Sequence, residues 1–218
     1  AFLTVAISFG VFRVFHRELH LASRDLHDSY ERSESLLRNM LPVSIAQRLK
    51  VKQHVIADDF SDASVLFADL CGFTSMSESM APAEVATLLN EVFSTLTQVI
   101  FRYGGTIDKH IGDTVMAVFG APVAHDDDPE RAVRAAIAVH ASMAELSAEM
   151  GRELTVHIGI ASGRVVASGT GSDSHQEYTV TGESVNLASR LQEMARGGES
   201  FISEEVYRAT RKLVSARA

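Results

Sequence analysis

The chain has no tryptophan, one cysteine, four prolines and no excess of positive charge. Each scarcity removes a class of protein. Cys71 alone cannot build a disulfide framework, and it fits a reducing compartment. The nine histidines are scattered and make no zinc-type cluster with cysteine. A formal net charge of -8 argues against a partner that is duplex nucleic acid, because phosphate contacts need a basic face. It leaves room for a nucleotide already chelated to a metal ion. No apolar run reaches the roughly 20 residues of a complete membrane span, and no internal repeat or low-complexity segment occurs. What is present is 218 residues, 46% hydrophobic and 22% charged, enough for one globular domain with a substantial core and a modest extra segment.

The first residues, "AFLTVAISFGVFRVFHRELH", begin at Ala1 in place of Met, the expectation for a piece of a longer chain. Residues 1 to 12 are apolar and uncharged, and Arg13, His16 and Arg17 follow. Residues 1–15 therefore read as the end of a transmembrane helix leaving on the cytoplasmic side, with an amphipathic or buried helix end as the alternative. From Leu19 a seam of Leu19, Ala22, Leu26, Ser29, Ser33, Leu36 and Met40 alternates steps of three and four. That spacing predicts a weak parallel coiled-coil stalk over 16–41; a solvated single helix is the alternative. Pro42 ends the pattern.

After a polar joint at "ADDFSDAS" the pattern changes to alternating strands and helices. Ser64 to Ala68 reads as a short strand, and Pro82 to Phe101 as a helix stopped by "GGT". "TIDKHIGDTVMAVFG" reads as a hairpin turning at Gly112-Asp113. Asp128 is expected to cap a second helix with Pro129 in its first position, and capping explains the Asp126–Asp128 run better than metal binding. "LTVHIGIASGRVVAS" reads as a strand pair and "GESVNLASRLQEMA" as a third helix. The order predicts an α+β fold: a ferredoxin-like split βαβ (βαββαβ) sheet with appended strands and helices, the helices on one face, preceded by a long N-terminal helix.

Within that order "VLFADLCGFTSMSE" places an acid, Asp69, at the end of an apolar strand, while Asp113 lies at the hairpin turn. In a βαββαβ sheet these two positions can be neighbours. Two carboxylates brought together repel unless a cation lies between them, and paired oxygen ligands suit Mg²⁺ or Mn²⁺. Gly72 would free the following backbone N–H groups to turn toward phosphate. Either acid alone reads as a strand-end or turn residue.

Three segments, "FADLCGFTSMSE", "DKHIGDTVMAVFGAP" and "YTVTGESVNLASRL", resemble the signatures of the class III nucleotidyl cyclase catalytic domain, and "LLRNMLPVSIAQRL" resembles the helical coupling element of its membrane-bound bacterial members. The resemblance spans roughly residues 60 to 210 and implies a catalytic domain over 60–218. It implies that Asp69, Asp113 and the backbone of Leu70 hold two divalent cations, with Gly72, Phe73 and Thr74 near the phosphates. Lys109 matches the base-reading lysine, with Thr179 as its partner. Asn186 and Arg190 match the pair that orients the ribose and stabilises the transition state, and Arg164 matches an arginine of the terminal phosphates. The implied protein is a homodimeric adenylate cyclase at a cell membrane, its catalytic domain cytoplasmic, its substrate ATP.

Adenine offers an acceptor at N1 and a donor at N6, which a lysine and a hydroxyl oxygen complement, whereas guanine's N1 donor wants a carboxylate. Many relatives carry Asp where Thr179 stands. The chain also stops at "LVSARA", before the segment that usually supplies a triphosphate-binding lysine. A guanylate cyclase is the alternative activity. A diguanylate-cyclase-like enzyme would show a "GGDEF"-like turn where this chain has "IGDTV", and a degenerate regulatory module would have lost one of the five central residues.

Overall fold

The computed structural model describes residues 58–172 and 175–216, with the side chains of 169–178 excepted. The expectations for 1–15, for the stalk over 16–41 and for Pro42 lie outside the described residues. Among the described residues no helix is long and apolar enough to cross a membrane.

The first strand, β1 (Asp58–Leu70), is longer than its apolar stretch predicts. Asp58, Asp59 and Phe60 pair with Ala167, Val166 and Val165 of a neighbouring strand, so the polar joint is strand across a bulge between Phe60 and Ala63. Backbone pairing overrides side-chain polarity here. A short helix α1 (Phe73–Glu78) and a long one, α2 (Pro82–Arg102), follow. The hairpin β2 (Thr106–Ile111) and β3 (Thr114–Phe119) turns at Gly112-Asp113 as expected. Next come α3 (Asp128–Met150), β4 (Val156–Ser172), β5 (His175–Thr181), α4 (Glu183–Met194), β6 (Ser200–Ile202) and α5 (Glu204–Thr210). The sheet order is β2-β3-β1-β4-β5, with β6 parallel to β4. Strands β1 and β2 run in the same direction with β3 inserted antiparallel between them, the split βαβ arrangement.

Two further elements differ from their sequence patterns. "LTVHIGIASGRVVAS" is not a strand pair but part of the single strand β4, because β1 supplies partners from Val156 to Ala167 and Gly163 stays in the ladder opposite Ala63. Asp128 does not cap α3 from outside; it is the helix's first residue, with Asp127 in the cap position. Buried at 1% exposure, it accepts from the backbone N–H of His125 at 2.8 Å and pairs with Arg131, so its carboxylate is spent on structure.

The helices also occupy both faces. Leu66, Ala68 and Leu70 of β1 enter a core built with α2 and α3, while the alternate residues Val65 and Phe67 pack in a second cluster with Ala188 of α4. Gly159 makes that second layer possible: a Cβ there would lie 2.1 Å from the carbonyl oxygen of Ala188 and 2.3 Å from the amide nitrogen of Gln192. Helix α4 therefore rests directly on the backbone of β4.

Candidate active site

Alternation along β1 turns Leu70 into the α2–α3 core and Asp69 to the α4 side of the sheet. Its register neighbours are Thr114 on β3 and His157 on β4. Both hold the carboxylate. The Thr114 hydroxyl donates to Asp69 Oδ1, and His157 Nε2 lies 2.9 Å from Oδ2. His157 is fixed from behind, its Nδ1 being 2.8 Å from the carbonyl oxygen of Gln192 and 3.1 Å from that of Ala195 at the end of α4. Each Asp69 oxygen uses one lone pair in these contacts and keeps another for a ligand.

Asp113 sits on the β2–β3 turn beside that strand end. Burial pushes its carboxyl above the usual range, and the negative charge of Asp69 adds to the rise. Thr114, the register partner of Asp69, directly follows Asp113, so the two acids predicted to converge sit at the same end of the sheet. That donor set fits a hard divalent cation, which would relieve the repulsion. Among the described residues no group of three or more acidic, histidine or cysteine side chains surrounds an ion position, so further ligands would be backbone, water or phosphate oxygens. Gly72 follows with φ of 69°, a left-handed conformation that starts α1 at Phe73. Phe73 packs against the core and Thr74 is exposed.

The β2 strand contains a second group. Ile107 packs into the α2–α3 core, and the His110 ring packs tilted against Phe93 of α2 at 4.4 Å between centroids. Those positions are three apart, an odd step that a regular strand cannot place on one face. The register shift between Ile107 and Lys109 absorbs it and leaves Asp108 and Lys109 together, with Lys109 Nζ 3.9 Å from Asp108 Oδ2. Asp108 also reaches β5: the Thr179 hydroxyl donates to Oδ2 at 2.7 Å and the Val180 backbone N–H to Oδ1 at 3.1 Å. Lys109 and Thr179, paired by resemblance, meet through this carboxylate.

A profile of the adenylate and guanylate cyclase catalytic domain matches residues 55–216. The chain belongs to that family. Among curated relatives, an adenylate cyclase of Mycobacterium tuberculosis is 36% identical over 192 residues, covering 88% of this chain and 43% of the relative. The human guanylate cyclase soluble subunit beta-2 is 28% identical over 193 residues, 88% of this chain and 31% of the relative. The chain thus spans less than half the length of these relatives. Among solved structures, the adenylyl cyclase CyaB from P. aeruginosa aligns with a TM-score of 0.71 at 32% identity, over 74% of this chain and 86% of that one. The guanylyl cyclase Cya2 aligns with a TM-score of 0.67 at 37% identity, over 70% and 79%.

Other residues of the cyclase domain stand apart from the acid pair. Arg164 on β4 forms a two-pronged ion pair with Asp59, its Nε 2.8 Å from Oδ1, at the end of β1 away from Asp69. Asn186 and Arg190 lie one turn apart on the exposed side of α4, and among the described residues neither side chain has a partner. Asp108 and His157 escaped the sequence reading. The register partner of an acidic strand end was the available signal for His157; nothing in the sequence marks the bulge that turns Asp108.

Proposed function

We propose that this cyclase domain converts ATP to 3′,5′-cyclic AMP and pyrophosphate as a homodimer, carried on the cytoplasmic face of a membrane. The observation that supports the base choice is the Lys109–Asp108–Thr179 contact: an ammonium donor beside a hydroxyl oxygen, the complement of adenine's N1 and N6. Two divalent cations, Mg²⁺ or Mn²⁺, would lower the pKa of the ribose 3′-hydroxyl and offset charge on the phosphoryl oxygens. Asp69 and Asp113 would hold them, with Asp69 kept in place by Thr114 and His157. Attack of the 3′-oxygen on the α-phosphorus expels pyrophosphate and needs no protein nucleophile. Arg190 would offer a fixed fork of donors where charge builds up, an effect worth about 3 kcal/mol, and Asn186 would orient the ribose. The phosphates would lie along the backbone from Gly72 to Thr74, with Arg164 toward their far end.

Guanylate cyclase activity is the second reading, favoured by the 37% identity to Cya2 and opposed by the absence of a carboxylate at position 109. Incubating the protein with ATP or GTP and either ion, and identifying the product by mass, decides between them. Cyclic GMP as the main product would overturn the ATP assignment. No cyclic product from either nucleotide would remove the enzyme reading.

A further inference from the structure

Asp108 is a nearly buried carboxylate, its side chain 5% exposed, and it accepts from the Thr179 hydroxyl and the Val180 backbone N–H of β5. The sheet order puts β2 and β5 at opposite ends, so this contact closes one edge strand on the other. A threonine hydroxyl has one proton and two lone pairs. With Asp108 ionised, both its oxygens are acceptors, so the Thr179 proton must point at Oδ2.

We infer that Asp108 is a specificity-positioning residue: by taking the Thr179 proton it leaves that oxygen only as an acceptor, which selects a purine carrying an amino group at C6 over one carrying a carbonyl there. This rests on the proposal that Lys109 and Thr179 receive the base. A hydroxyl free to rotate would accept from the amino group of adenine or donate to the O6 of guanine with equal ease. Held by Asp108, it can only accept. Lys109, 3.9 Å from the same oxygen Oδ2, is thereby placed on the same side, and one carboxylate sets both halves of the adenine pattern.

Asp108→Asn reverses the polarity with no change in size. The Val180 N–H must keep an acceptor, since an unsatisfied buried amide costs about 1–3 kcal/mol, so the Asn carbonyl oxygen takes the Oδ1 place. The Asn amide then faces Thr179 and donates to its oxygen, and Lys109 loses the anion beside it. The Thr179 proton is released toward the base.

The test measures kcat/KM for ATP and GTP in wild type, Asp108→Asn, Thr179→Ser and Thr179→Val, with thermal melts for each. The expected result is an ATP:GTP ratio lowered at least tenfold by Asp108→Asn, kept by Thr179→Ser, and lowered by a clearly smaller factor by Asp108→Asn once Thr179 is Val, when only the Lys109 half of the pattern is left to lose. A structural staple alone would lower both substrates together and leave the ratio unmoved, and that outcome overturns the inference. If wild type does not prefer ATP, the base assignment itself is wrong. Should Asp108→Asn fail to fold, purine riboside triphosphate, which keeps N1 but lacks the amino group, serves as the probe. Wild type should discriminate against it at least tenfold and Thr179→Val should not; equal use by wild type overturns the inference.

Discussion

Replacing Gly159 by Ala tests how α4 is seated. The added Cβ would be 2.1 Å from the Ala188 carbonyl oxygen and 2.3 Å from the Gln192 nitrogen, where ordinary contact begins at 3.4 Å. Both obstacles are helix backbone, which cannot rotate aside, so α4 must move away by roughly 1 Å, and overpacking of this kind costs about 1–3 kcal/mol. The rigid obstacle places Gly159→Ala at the upper end. For a domain of this size each kcal/mol lowers Tm by about 2–4 °C, so a fall of about 5–10 °C is expected. The same movement carries Asn186 and Arg190 with the helix and pulls the Gln192 and Ala195 carbonyls from His157. A 1 Å misplacement can cost about 100-fold in rate, and a loss of that order is expected even where the protein remains folded. Gly163→Ala, on the same strand, is the control: its Cβ would meet Ser184 Cβ at 3.4 Å, ordinary contact. Urea denaturation and a cyclisation assay on both variants give the answer. Gly159→Ala within 0.5 kcal/mol of wild type, about the scatter of a neutral surface change, or equal damage from Gly163→Ala, would refute the reasoning.

Because burial, and then the charge of Asp69, raise the Asp113 carboxyl, its contribution to metal-free stability is complete below the ordinary carboxylate range and is lost as pH rises through the raised value. Asp113→Asn should therefore be more stable than wild type at neutral pH without metal, with the gap closing near pH 4; a constant gap across a pH series of melts contradicts this. Asp113→Ala and Arg190→Ala chains, each inactive alone, should regain about a quarter of wild-type activity when mixed with full exchange, since half the dimers would carry one intact site of two. No recovery in a mixture shown by crosslinking to contain mixed dimers would mean a site built within one chain.

The sheet was legible because its strands obey the period their burial demands. "VLFADL" alternates between two buried clusters, and Gly112-Asp113 turns where a hairpin needs it. The polar start of β1 was not legible, because Asp58 and Asp59 are held by backbone pairing to β4, a long-range partner with no local signal. Strand β4 was misread for the same reason: Ser162 and Gly163 look like a turn until β1 is placed beside them. Helix α4 on the far face depended on Gly159, whose missing side chain matters only against a helix backbone about 30 residues further on. In the site, the pair Asp69 and Asp113 is legible because a split βαβ sheet makes a strand end and a hairpin turn neighbours, and two carboxylates side by side call for a cation. Asp108 was passed over because it needs a bulge and a contact 71 residues away to acquire a role.

The positions of the cationic residues bear on how many chains build one site. Arg164 pairs with Asp59, ten residues before Asp69 on β1, and at about 3.3 Å per residue that is roughly 30 Å along the strand. A single nucleoside triphosphate held at Asp69 and Asp113 cannot also reach that guanidinium in the same chain. Asn186 and Arg190 point the same way, side by side on an exposed helix face and without partners among the described residues. A second copy related by a two-fold axis would bring its own α4 and β4 to the first copy's acids, and the first would do the same in return. The hairpin makes this economical. Lys109 and Asp113 are four residues apart, and the bulge turns Asp108 to β5 with Lys109 beside it, while the turn leaves Asp113 next to Thr114, the β1 partner. One short segment can then hold a base on one side of the axis and a cation on the other, so a fault in either residue damages a different site of the pair.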